Sequence, residues 1–238
     1  MFTWNAEMVR FMHDAGAYNR DYYARLAAWM TPCLSPEDHL CDAGCGLGFL
    51  TLELSNYVNH ITAVDHSELA LNVLRETEAE RQNITVISGN INHFTQAEKY
   101  DAMVFSFFGK MEEISRIAKK QCRGTVFAFK KNYVNRRFTA DEYPAGDDSF
   151  SNAVSWLQEN GVPFTAETLS LEMGQPLRGW DEARRFFTLY HRGDKAAITD
   201  EFLQARLVKT GRQDFPLYLP QKREVGCLRF ASADLPEE

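Results

Sequence analysis

Asp42-Ala-Gly-Cys-Gly-Leu-Gly48 lies between a short apolar run, Leu40-Cys41, and an amphipathic one, Phe49-Leu50-Thr51-Leu52-Glu53-Leu54. That order reads as strand, glycine turn, helix. Glycines at alternate positions let the backbone bend sharply, and let a ligand lie against it with no side chain in between. The carboxylate at the strand end can accept a hydrogen bond from a cationic ligand group.

Outward from this turn the chain alternates. Ile61-Thr-Ala-Val-Asp65, Ile84-Thr-Val-Ile-Ser88, Tyr100-Asp-Ala-Met-Val-Phe105 and Thr125-Val-Phe-Ala-Phe129 have the β-branched and aromatic content of buried strands. Helices are expected between them over 68–81, capped by Ser67, and over 111–120. Strands alternating with helices predict an α/β fold with a parallel sheet. Residues 1–17 read as a short apolar helix punctuated by Gly16. Residues 18–30 read as a second helix, with Tyr22, Leu26 and Trp29 on one face, ended by Pro32 and Pro36. Beyond the fifth strand, 130–148 is polar and irregular. Helices are then expected over 151–160, 180–191 and 198–209, strands over 164–173, 215–219 and 225–231, and a frayed tail over 234–238. The chain is read as one domain with a helical cap (1–36), a core (37–174), a helical insertion (175–212) and a C-terminal strand region (213–238).

The 238 residues are 45% hydrophobic and 25% charged, as in a soluble globular protein, and the net charge of −7 disfavours a general nucleic-acid binder. No run of apolar residues is long enough to span a bilayer, and the N-terminus lacks the basic and apolar regions of a secretory signal. The five cysteines are odd in number and form no C-x-x-C pair. They predict a reducing, cytoplasmic setting with neither a disulfide framework nor a zinc cluster. The six histidines form no metal-spaced pair, so no metal is expected.

The glycine spacing separates this turn from a dinucleotide fingerprint. G-x-G-x-x-G is expected there, whereas these glycines stand at 44, 46 and 48. With Asp65 ending the next strand, the stretch 42–48 resembles the first motif of the class I S-adenosylmethionine-dependent methyltransferases. The resemblance covers 38–130. It implies a Rossmann-like fold: a seven-stranded, mostly parallel sheet in the order 3-2-1-4-5-7-6, with strand 7 antiparallel and helices on both faces. On that scheme 175–212 is a two-helix insertion between strands 6 and 7. The cofactor implied is S-adenosyl-L-methionine, leaving as S-adenosyl-L-homocysteine. Its site would comprise Tyr18, Asp42, Ala43, Gly44, Cys45, Gly46, Gly48, Asp65, His66, Asn90, Ile91 and Ser106. Asp65 would bind both ribose hydroxyls, and Tyr18 is the candidate to reach the methionine carboxylate. Asn90 stands where the family commonly has an Asp that accepts from the adenine amino group, and Ile91 would be the apolar neighbour of the ring.

The acceptor is less determined. Phe105-Ser-Phe-Phe-Gly109 lacks the polar-Pro-Pro-aromatic tetrapeptide of methyltransferases acting on exocyclic amino groups of bases, and lacks a Pro-Cys nucleophile for C5 chemistry. Phe107, Lys130, Arg136 and His191 are the substrate candidates. Against that, Phe107 reads equally as core, and the basic residues as a solvated, salt-bridged surface. No catalytic base is assigned. The expected activity is direct displacement of the methyl group onto a small-molecule acceptor, with nucleic acid disfavoured, no membrane partner and the oligomeric state open. The alternatives are a non-catalytic adenosylmethionine-binding module and an NAD(P)-dependent oxidoreductase.

Overall fold

The centre of the sheet is the strand that feeds the glycine turn. In the computed structural model, which describes residues 4–94, 98–132, 149–191 and 194–237, β1 (His39–Ala43) is flanked on both sides by parallel strands. These are β2 (His60–Asp65) and β4 (Tyr100–Ser106). β3 (Ile84–Ser88) and β5 (Cys122–Lys131) extend the parallel array outward. β10 (Lys222–Ala231) then pairs antiparallel with β5 and with β6 (Phe164–Glu172). Among the described residues the sheet order is β3-β2-β1-β4-β5-β10-β6, the order and the antiparallel strand that the resemblance implied.

Helices cover both faces, and the strands obey this with period-two side chains. On one face Met103, Phe105, Val126, Ala128, Leu228 and Phe230 pack against α5 (Met111–Gln121) and α6 (Phe150–Glu159). On the other, Ala102, Val104, Phe127, Phe129 and Cys227 pack against α2 (Arg20–Met30) and α3 (Phe49–Leu54). α4 (Glu68–Glu78) begins at Ser67, whose side chain accepts from the Ala70 amide. The strand order reverses between β1 and β4, which opens a crevice at their carboxyl ends, where α/β sheets hold ligands.

Four expectations need correction. α1 (Ala6–Tyr18) runs through Gly16 without a break, because a Cβ there would stand 2.4 Å from the Phe49 ring. The glycine admits a close approach between helices and marks no helix end. Between β6 and β10 the two expected helices are joined by a small sheet, so the segment is an α/β unit. β7 (Gln175–Leu177), β9 (Leu217–Leu219) and β8 (Val208–Lys209) form a three-stranded sheet beside α7 (Trp180–Tyr190) and α8 (Asp200–Gln204). The helix expected over 198–209 ends at Gln204, since Val208 and Lys209 pair with Tyr218 and Leu217. The expected frayed tail is tied down: Leu235 is buried, and the Lys119 ammonium donates to its carbonyl at 2.9 Å.

α1 docks on this unit. Phe11 is 1% exposed and meets Phe186 edge-on, with centroids 4.9 Å apart. Arg178 grips Asp14 with two hydrogen bonds of 2.5 and 2.8 Å, and Arg10 pairs with Glu182. Both carboxylates are buried, so each needs its arginine. Truncating the central ring should therefore uncouple cap from insertion. Phe11→Ala is expected to lower stability by about 3–5 kcal/mol. Urea unfolding checks this, and a loss below about 1 kcal/mol would contradict the docking.

Candidate functional site

The crevice holds a cavity of about 660 Å³. Its floor is the glycine loop. Gly44, Gly46 and Gly48 have φ of +76°, +56° and +78°, a region that L side chains avoid. The Gly44 and Cys45 amides donate to the Val64 carbonyl at 2.8 and 3.1 Å, binding the loop to β2. A Cβ at Gly44 would press on the Phe108 ring and one at Gly48 on Leu74, whereas at Gly46 only Trp4 comes within 4 Å, at 3.8 Å. The first and third glycines are thus needed by packing. The middle one leaves backbone open to a ligand.

Two carboxylates frame the loop. Asp65 ends β2, and its Oδ2 accepts from the Gly46 amide and its Oδ1 from the Ser67 amide, each at 2.9 Å. It therefore fixes the loop and the start of α4 together, and each oxygen retains a lone pair for a ligand hydroxyl. His66 lies outside it, with Nδ1 3.5 Å from Asp65 Oδ1. Asp42 is 1% exposed. Thr51 donates to its Oδ2 at 2.6 Å, while its buried Oδ1 has no hydrogen-bond partner. Burial pushes the Asp42 carboxyl up to about 7, opposed by Thr51 and assisted by the charge of Asp65. Burial likewise pushes the Cys45 thiol up.

Gly48, Asn90, Ile91, Ser106 and Phe107 also line the cavity, so the structure brings together most of the residues expected there. Phe107 has φ 55°, a strained value for a non-glycine residue, and its amide donates to the Phe129 carbonyl at 2.9 Å.

The structure displaces several candidates. Asn90 cannot accept freely, because its Oδ1 already takes the Asn92 amide at 3.0 Å and Asn92 Nδ2 at 3.1 Å. Ala43 points into the core beneath the loop. Tyr18 stacks on Tyr218 at 5.0 Å and borders a second depression, of about 780 Å³, between the α1–α2 junction and the insertion. Lys130 is 1% exposed and is no substrate group. It donates to the Phe108 and Gly109 carbonyls at 3.2 and 2.5 Å, propping the turn after β4 from below. His191 is buried at the end of α7, in the insertion, outside this cavity. Arg136 lies outside the described residues.

Sequence reasoning assigned neither the roof residues nor one rim to the site. Trp4 and Met12 reach the cavity from the N-terminal segment, and Tyr22 and Tyr23 from α2. Tyr23 stacks on Phe49 at 5.1 Å. Tyr22 serves twice, in the core cluster and on the cavity wall. The apolar content of residues 1–17 signalled a lid. Nothing signalled Arg223, Asn92 or Glu113, which come from distant or polar stretches.

Known proteins resemble this chain in sequence and in fold. Residues 40–126 match the methyltransferase domain family. A 58-residue stretch is 34% identical to ribosomal RNA small subunit methyltransferase A of Pediococcus pentosaceus, spanning 24% of this chain and 20% of that protein. Among solved structures, the YcgJ protein from Bacillus subtilis superposes with a TM-score of 0.58 at 13% identity, over 89% of this chain and 98% of the other. Magnesium protoporphyrin IX methyltransferase from Synechocystis PCC 6803, solved with bound S-adenosylmethionine, does so with 0.50 at 14% identity, over 96% and 86%. The Synechocystis enzyme holds S-adenosylmethionine, and two features of this cavity suit such a ligand. The orphaned Oδ1 of Asp42 calls for a cationic partner, and the open backbone at Gly46 leaves a cradle beside Asp65.

The elevated Asp42 has a measurable signature. In the unfolded chain it ionises near about 3.9, but in the folded protein near about 7. Between those values the folded state binds the extra proton, so this group's contribution to stability falls as pH rises and then levels off. Asp42→Asn removes that dependence. The stability of the variant relative to the parent should rise by about 2–4 kcal/mol from about pH 4.5 to 8. Urea unfolding across that range checks it, and a flat difference contradicts an elevated carboxyl.

Proposed function

We propose that this chain, whose residues 40–126 match the methyltransferase domain family, is a class I S-adenosylmethionine-dependent methyltransferase that transfers the methyl group to a small-molecule acceptor by direct displacement. The observation that carries the acceptor class is the roofed cavity. Trp4, Met12, Tyr22 and Tyr23 close over the glycine loop, and Phe107 and Phe108 line the end of β4. About 660 Å³, walled on one side by these aromatic residues, lies within the usual range of small-molecule sites, about 300–1,000 Å³.

When bound, the cofactor supplies a methyl group already activated by its sulfonium. Asp42 would hold its ammonium end and Asp65 its ribose. The residues' remaining task is to align the acceptor and exclude water, which can supply roughly 7–11 kcal/mol of the barrier reduction. The strained Phe107, held by the Phe129 carbonyl and backed by the Lys130 prop at the next two carbonyls, supplies a rigid wall for that alignment. The reading treats the chain as one catalytic domain in a cytoplasmic setting, supported by five cysteines that are all free thiols. No helix among the described residues is long and apolar enough to cross a membrane.

Two measurements test the proposal. S-adenosylhomocysteine should raise the melting temperature, and Asp65→Ala should weaken its binding by about 1–3 kcal/mol through loss of hydrogen bonds to charge, as read by calorimetry. Methyl-labelled cofactor added to a cell extract should place label in the dialysable fraction. Label confined to RNA or protein would overturn the acceptor class. Stabilisation by NAD(P) alone would overturn the cofactor, and cofactor binding with no transfer would favour a non-catalytic module.

A further inference from the structure

The rim of the cavity beyond Asp65 contains a hydrogen-bonded network that decides which groups can read a ligand there. Asn90, at the end of β3, is the obvious acceptor by position. Its oxygen, however, is consumed by the backbone and side-chain amides of Asn92. The backbone donor fixes the orientation of the Asn90 amide, so its NH2 group, and not its oxygen, is left for other partners. Asn92 is itself used up. Its Nδ2 donates to Asn90 Oδ1 and to Glu113 Oε1, the latter at 2.8 Å, and its Oδ1 accepts from Arg116 at 2.8 Å.

That leaves one strong acceptor on this rim. Glu113 comes from the first turn of α5 and lines the same cavity as Asn90, Ile91 and Phe108. Its Oε2 takes no hydrogen bond from any described residue, and lies 3.1 Å from where a Cβ would stand on Gly109, a residue that also lines the cavity. The end of the cavity therefore offers apolar surface from Ile91 and Phe108, a carboxylate acceptor, and an amide donor at Asn90. A purine carrying an exocyclic amine beside a ring nitrogen presents the complementary edge: a donor next to an acceptor.

We propose that Glu113 is the specificity-determining residue for the base of the cofactor, accepting from its 6-amino group in place of Asn90. This rests on the adenosylmethionine reading of the site. Asn92 acts as a positioning residue, because its bond holds the carboxylate through Oε1 and leaves Oε2 for the ligand.

The network also predicts what a conservative change does. In Glu113→Gln, the Asn92 donor retains the Gln oxygen, so the Gln NH2 takes the place of Oε2. The site then presents a donor where it presented an acceptor. A 6-oxo purine, with an acceptor at that position, becomes the better match. Calorimetry with S-adenosylhomocysteine and S-inosylhomocysteine reads this without turnover. The parent should prefer the adenosyl compound by about tenfold or more, and Glu113→Gln should shift the ratio of the two affinities by at least about tenfold toward the inosyl compound. Glu113→Ala, which removes both the acceptor and its repulsion of a 6-oxo group, should weaken the adenosyl compound and narrow the ratio. An unchanged ratio in both variants overturns the role of Glu113. A parent protein that binds neither compound overturns the cofactor reading itself.

Discussion

One carboxylate ties the site together. Asp65 accepts from the Gly46 amide with one oxygen and from the Ser67 amide with the other. Packing fixes the ends of the left-handed glycine loop, but its middle residue has no side chain to pack. It is held by backbone bonds to β2 and by this clip from the end of the same strand. The start of α4 is fixed by the same group, so the loop floor and the adjacent helix share a single anchor. A carboxylate that served only a ligand would leave the floor loose until the ligand arrived. Here the floor is preorganised, which lowers the ordering cost of binding.

The cofactor half of the molecule was legible because its residue types admit few conformations. Three glycines at alternate positions following a buried strand demand positive φ, and Asp65 at the end of the next strand places the second anchor. The strand order then follows from short right-handed crossovers. What sequence could not reveal is competition among neighbours. Asn90 has an acceptor by type, yet Asn92 consumes it. Lys130 has a charge by type, yet the carbonyls of Phe108 and Gly109 draw it inward. Tyr18 closes α1 instead of opening the second helix, and it faces Tyr218.

The insertion was the least legible part, for a simple reason of length. β7, β8 and β9 are two or three residues each, too short to show period-two alternation. Their pairing is long-range, and the apolar residues of 198–209 fit helix and strand alike until the partner β9 is known. The strand at Val208 and Lys209 is set by pairing with β9.

The contacts of α1 carry a consequence for biosynthesis. Its anchors, Arg178, Glu182 and Phe186, lie far downstream in the chain, and β9 and β10 follow later still. α1 is made well before these docking partners, at about 5–20 residues per second. Its Ala15 and Gly16 side can pack early against α2 and α3, and the glycine loop can assemble with its neighbouring strands. Its Phe11 side has no native surface until the insertion follows, so that contact closes after the cavity floor has formed.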